Sequence, residues 1–313
     1  MIKIVLLVLG FILLFIQHYS VAIGINTQFI IFIIGILLLG VPHGAADFLV
    51  ATRNADTSEK NFSQKKFFLI YLGRLILFGI ILILFPIAGN ILFILFAAFH
   101  FGETDLYQFK TNTILGKIFV ITYGLVILSV ITLHHFDEVI PIFELFESGK
   151  ENQPIINWIS QNKYLILSVN SILFFISTFI YFLRNSQFDN SDKGQFLVRF
   201  ALILFILFNL PMLLGFTFYF VLWHSVLSLN NIVHYLRKNN TISYKLISKQ
   251  ILFYSAIAIT GIVLFGLTGF MFINKNAVAG YIFLGLAVLT APHMEVMYDM
   301  YGAIRKKRGE AVN

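Results

Sequence analysis

At 313 residues, with 58% hydrophobic side chains and 12% charged ones, the chain is far more apolar than a soluble domain, in which about 25% of residues are charged. A formal charge of +7 would point to nucleic acid in a soluble protein, but here the basic residues stand in short loops beside apolar segments, where they set topology. The continuous apolar runs exclude the alternating strands of a membrane β-barrel, and the absence of cysteine excludes disulfides, thiolate metal sites and iron–sulfur clusters, leaving any metal to nitrogen and oxygen ligands.

The first apolar segment covers about residues 4–16. Small residues at Ser20 and Ala22 suit a cleaved signal peptide over residues 1–22, but a first transmembrane helix explains the segment as well and is the reading kept. Segment two, about 28–49, carries His43 and Asp47, and a polar loop follows to Lys66. Residues 67–107 are twice as long as one crossing needs, and the breakers from Pro86 to Asn90 divide them into segments three and four. Segment five is about 114–133. A long acid-rich loop is expected over 134–163, then segment six over 164–183. Residues 196–236 divide at Pro211 into segments seven and eight. Segments nine (251–273) and ten (278–301) flank a short connection at 274–276, and Arg305-Lys306-Lys307-Arg308 lie near the carboxyl end.

Ten crossings with a cytoplasmic amino terminus place 18 of the 22 lysines and arginines inside and three outside, with Arg74 within segment three. The expectation is an all-α, polytopic transmembrane bundle of about ten helices, a single domain over 1–313, multi-pass in the cell membrane with both termini cytoplasmic.

Segments two, four, eight and ten then share one orientation, and they carry His43, His100, His224 and His293 at comparable depth. Ionisable side chains at hydrocarbon depth are costly and mark functional sites by default. Four imidazoles on four helices of one orientation are what a metal site inside a bundle requires, and such ligands suit iron, copper, nickel or zinc. The plainer alternative at each position is a hydrogen bond between helices. Such a bond needs no common depth. His234, nearer the cytoplasm, is an interfacial residue held as a reserve ligand; His18, His134 and His135 are expected to be solvated.

Asp47, four residues after His43, shares its helical face and is placed to accept a hydrogen bond from a ligand imidazole. Glu103, Asp105, Glu295 and Asp299 are candidates for the same task, although an acid near a helix end often simply reaches water. Pro42 and Pro292 each precede a histidine and are expected to kink their helices, and Gly44 and Gly102 to permit close approach.

No His-Glu-x-x-His element for an intramembrane zinc protease is present, no lysine lies mid-segment to hold retinal, and the histidine boxes of membrane desaturases are missing. An imidazole-only site for iron, copper, nickel or zinc, a haem protein with paired axial histidines and a transporter of an ion or small molecule remain open.

Gly40-Val41-Pro42-His43-Gly44-Ala45-Ala46-Asp47, Phe99-His100-Phe101-Gly102-Glu103-Thr104-Asp105, Trp223-His224-Ser225 and Pro292-His293-Met294, taken in this order, resemble the Brp/Blh family of membrane-bound β-carotene 15,15′-oxygenases. The resemblance implies a histidine-ligated Fe(2+) that cleaves β-carotene at its central double bond with O2 to give two retinals. His43, His100 and His224 become iron ligands by motif. Family members often carry a second histidine four residues after the Trp-His histidine, where this chain has Ser228, so His293 is taken as the fourth ligand ahead of His234. The aromatic residues beside the histidines, Phe96, Phe99, Phe101, Phe218, Tyr219, Trp223, Tyr298 and Tyr301, are candidates to line a polyene tunnel. An opsin is the natural recipient of the retinal, and membrane lipid the source of the carotene.

Overall fold

The computed structural model describes residues 1–20, 22–57, 61–144, 153–185, 189–237, 241–272 and 278–307. Among these residues there is no strand. Helix α1 is Ile2–Tyr19, and α2 is built from four joined pieces, Ile25–Gly35, Ile36–Gly40, Val41–Ala45 and Asp47–Thr57. Then come α3 (Gln64–Leu84), α4 (Pro86–Asp105), α5 (Ile114–Ser129, continued by Val130–His134) and a short α6 (Phe136–Glu144). Helices α7 (Gln153–Arg184) and α8 (Asn190–Asn209) are followed by α9, made of Met212–Phe216, Thr217–His224 and Ser225–Leu236. The last two are α10 (Tyr244–Phe272) and α11 (Val278–Lys307).

Eight of these, α1 to α5, α7, α9 and α10, are long and apolar enough to cross a membrane. Helices α8 and α11 are as long, with 20 and 30 residues, but carry charges such as Asp192, Lys193, Glu295 and Asp299. All ten expected segments are therefore long helices, and the protein is a helical membrane protein.

The breaks follow from local chemistry. Phe85, with φ −131° and ψ 65°, separates α3 from α4, which starts on Pro86, where a missing N–H costs nothing. Leu210 is extended because Pro211 follows it, and this ends α8. Among the described residues three wide, π-type turns occur, at Ile36–Gly40, Val130–His134 and Thr217–His224.

Two boundaries differ from the sequence reading. The expected loop 134–163 contains α6 and the first eleven residues of α7, and Lys163 lies in α7 with its Nζ 2.9 Å from Asp137 Oδ2. A hydropathy window ends where polar residues begin, but a helix continues into water as long as its polar side chains find partners. Arg305, expected beyond the end of segment ten, instead lies in α11, is 5% exposed and donates to Glu103 Oε1 (2.8 Å) and Thr111 Oγ1 (3.2 Å). The connection at 274–276 and Arg308 lie outside the described residues.

Helices α4 and α5 meet backbone to backbone. A methyl group built on Gly102 would strike the Val120 carbonyl, and one on Gly124 would strike the backbone of Ala98. Small residues at such crossings let helices pack where lipid supplies no hydrophobic drive. Gly44 has open space in the same direction. At the other end of the bundle His18 Nε2 lies 2.7 Å from the Asn209 carbonyl and His135 Nε2 3.2 Å from that of Leu207. Both satisfy carbonyls left over at the end of α8, and His134 stacks on Phe208. Only His18 of these three is exposed.

Candidate metal centre

The four histidines from α2, α4, α9 and α11 converge. Ring centroids are 4.6 Å apart for His100 and His224, 4.8 Å for His100 and His293, 4.9 Å for His43 and His293, and 5.5 Å for His43 and His224. None is more than 7% exposed. One ring nitrogen from each of His43, His100 and His224 lies within 4.8 Å of the others.

Two of the three wide turns aim these side chains. Pro42 offers no N–H to the preceding turn, and the chain widens over Ile36–Gly40 just ahead of it, which absorbs the mismatch and swings His43 inward. The turn Thr217–His224 carries His224 itself; the Ser225 hydroxyl donates to the Phe220 carbonyl at 2.8 Å and thereby takes up one acceptor. Pro292 lies inside α11, which continues through it.

His100 Nε2 and His224 Nε2 are 3.0 Å apart. Two neighbouring ligands at about 2.1 Å from one metal ion are separated by roughly 3.0–3.4 Å, so this spacing fits a shared ion. His293 supports the same reading: it keeps a buried Nε2 with no hydrogen-bond partner. Unpaired buried polar atoms are uncommon and call for an explanation. A cation among four neutral imidazoles is one.

His293 is held from behind. Its Nδ1–H donates to Asp47 Oδ1 at 2.7 Å, and Asp47 Oδ2 accepts the Tyr71 hydroxyl at 2.9 Å. This leaves Nε2 to face the cluster, as in carboxylate-oriented metal ligands. The other acids have different partners. Glu103 pairs with Arg305, Glu295 with Arg74, and Asp105 Oδ2 accepts from Tyr123 (2.7 Å), Tyr219 (3.0 Å) and Trp223 (2.9 Å). Asp105 thus touches the residue before His224 rather than a histidine. His234 is exposed, in the last turn of α9.

Of the aromatic residues singled out from sequence, Phe101 packs on His224 at 4.7 Å, while Tyr219 and Trp223 serve the Asp105 cluster and Phe218 is core. Phe220, not singled out, lies 6.0 Å from His224 and 6.1 Å from His43. Tyr71 was also missed. Beyond the first turn of α3, Tyr71 and Arg74 are the only polar side chains, and that isolation was the available signal.

The family described as Beta-carotene 15,15′-dioxygenase matches residues 34–301, which span all four histidines. A relative named Beta-carotene 15,15′-dioxygenase, from an uncultured marine bacterium 66A03, is 26% identical over 261 residues, covering 83% of this chain and 89% of its own. No solved structure matches. With its helical membrane fold, its buried histidine cluster and a match over most of its length, the chain belongs to the β-carotene 15,15′-dioxygenase family.

Proposed function

We propose that the protein cleaves β-carotene at its central 15,15′ double bond with O2, giving two molecules of retinal, at a non-haem iron held by His43, His100, His224 and His293. The observation that carries this is the convergence of four buried imidazoles, with one ring nitrogen each of His43, His100 and His224 within 4.8 Å of the others and the Nε2 of His293 unpaired, in a chain of this family. Iron, when bound there, supplies the O2 chemistry.

The protein's own part is to hold and exclude. Neutral imidazoles leave the ion its full charge, and Asp47 with Tyr71 fixes the His293 tautomer so that Nε2 offers its lone pair. Phe101 and Phe220 close on His224 and keep water from the reaction. Asp105 orients the segment that carries His224 by holding its neighbours Tyr219 and Trp223. β-Carotene dissolves in the bilayer, so a centre inside the bundle spares its extraction into water. We place the chain in the cell membrane with both termini cytoplasmic, α1 retained, and the retinal passing to an opsin-like acceptor. Lys3 of α1 donates to the Asp105 carbonyl at 3.3 Å, and Gly10 lies against Phe218 and Ile206, which favours retention.

The test is metal analysis of protein purified from iron-replete cells. Iron close to one per chain is expected in the parent and near background in His43→Ala, His100→Ala, His224→Ala and His293→Ala. An iron-free parent, or a Soret band, would overturn the assignment. Oxygen uptake with β-carotene separates the oxygenase from a transporter built on the same histidines.

A further inference from the structure

A recess of about 530 Å³ opens between α3, α4 and α11, with Lys117 of α5 at its edge. Its volume is within the range of about 300–1,000 Å³ usual for small-molecule sites. Part of its wall is made by residues that flank two of the histidines: Phe99 precedes His100, and Met294 follows His293. The recess therefore lies along the stretches of α4 and α11 that carry His100 and His293, although neither histidine lines it. Most of the lining is aliphatic or aromatic, as suits a hydrocarbon chain.

Charges interrupt this wall. Arg74 of α3 pairs with Glu295 of α11, and the two side chains stay 45% and 42% exposed. Lys117 Nζ lies 5.8 Å over the Tyr298 ring, which itself packs on Phe99. Unlike Glu103 and Arg305, which join α4 to α11 at 2% and 6% side-chain exposure, this pair lines the recess and stays open to it. Charged groups at hydrocarbon depth are costly to keep beside lipid and mark substrate paths. A lipid tail or a bare hydrocarbon ring gains nothing from them. A ligand with an oxygen at its end does.

We propose that this recess receives one end of the carotenoid, and that Arg74, Glu295 and Lys117 select a polyene whose end carries a hydrogen-bonding oxygen, a ring hydroxyl or a terminal aldehyde, over the bare hydrocarbon. The inference rests on the cleavage reading for the identity of the polyene, but its test does not require turnover. A hydroxyl both donates and accepts, so it engages Glu295 as well as the cations; an aldehyde only accepts and engages Arg74 and Lys117 alone.

The experiment is a binding titration under anaerobic conditions, in which no cleavage occurs. Quenching of protein fluorescence is read for β-carotene, its 3-hydroxy derivative and a shortened chain ending in an aldehyde, with the protein in lipid nanodiscs. The parent is expected to bind at least one oxygenated compound about tenfold more tightly than β-carotene, the scale of one hydrogen bond to a charged group. In the double variant Arg74→Leu/Glu295→Leu, which leaves neither charge unpaired, that ratio should fall to about twofold or less, with iron content as the folding control. Glu295→Gln should lower affinity for the hydroxyl compound more than for the aldehyde. Equal affinities in the parent, or a preference that survives in the double variant, would overturn the proposal and leave the recess to lipid. Retinal formation in air, scored separately, reports on the cleavage reading.

Discussion

His293 Nδ1 and Asp47 Oδ1 are 2.7 Å apart, a hydrogen bond that joins residues 246 positions apart and ties α11 to α2 beneath the histidine cluster. A carboxylate only accepts, so Nδ1 carries the proton and Nε2 is left for a metal. Asp47→Asn keeps the size but loses the charge, and either amide orientation weakens the bond. Iron affinity is expected to fall about 10- to 100-fold, the usual effect of losing such a support. Tyr71→Phe, which leaves the carboxylate in place, should cost less. A chelator-competition titration measures both; parent-like affinity in Asp47→Asn would contradict the orienting role.

Asp105 gathers three donors on one carboxylate oxygen, from α5 and α9, within a fully enclosed site. Asp105→Ala strands the Tyr123 and Tyr219 hydroxyls and the Trp223 indole N–H, and a buried orphan donor costs about 1–3 kcal/mol. The variant should unfold at a clearly lower temperature in detergent and bind iron less well, because His224 follows Trp223. Asp105→Asn, which still accepts, should recover part of the loss. Unfolding scans with and without iron separate the two effects.

Gly102 and Gly124 face backbone across the α4–α5 crossing, whereas Gly44 faces open space. Gly102→Ala and Gly124→Ala are expected to destabilise by about 1–3 kcal/mol through overpacking, with Gly44→Ala close to neutral. Thermal unfolding of the three variants in one detergent checks the order. Equal effects at all three would show that the close crossing is absent.

Glu103 and Arg305 form a buried ion pair. Arg305→Met alone leaves a carboxylate buried without its partner and should cost about 3–5 kcal/mol, while Glu103→Leu/Arg305→Met should restore most of it, since an apolar replacement of both ions is often neutral. A double-mutant cycle on unfolding supplies the coupling. No recovery in the double variant would mean that Arg305 acts through Thr111 or packing instead.

Much of this was legible from residue order. The apolar runs gave the ten long helices, and Pro86 and Pro211 marked two of the breaks because proline's effect on its neighbours is local. The four histidines stood out because an imidazole is expensive at hydrocarbon depth, and they do meet. Asp47 was placed by helical spacing from His43, on the same α2, yet the imidazole it touches is His293, brought to it by α11. Spacing gives a face and not the helix opposite it. The same limit hid Tyr71 behind Asp47, and Trp223, Tyr219 and Tyr123 around Asp105. The Glu103 partner of Arg305 was out of reach for the same reason, because only the packing of α11 on α4 brings the two together.

The measurement that bears most directly on the central claim is retinal formation in cells that accumulate β-carotene, with His43→Ala and His100→Ala expressed beside the parent at matched levels. Retinal in the parent and none in either variant is the expected result. Retinal at parent levels in either variant, or none from a folded, iron-loaded parent, would contradict carotene cleavage at this histidine centre.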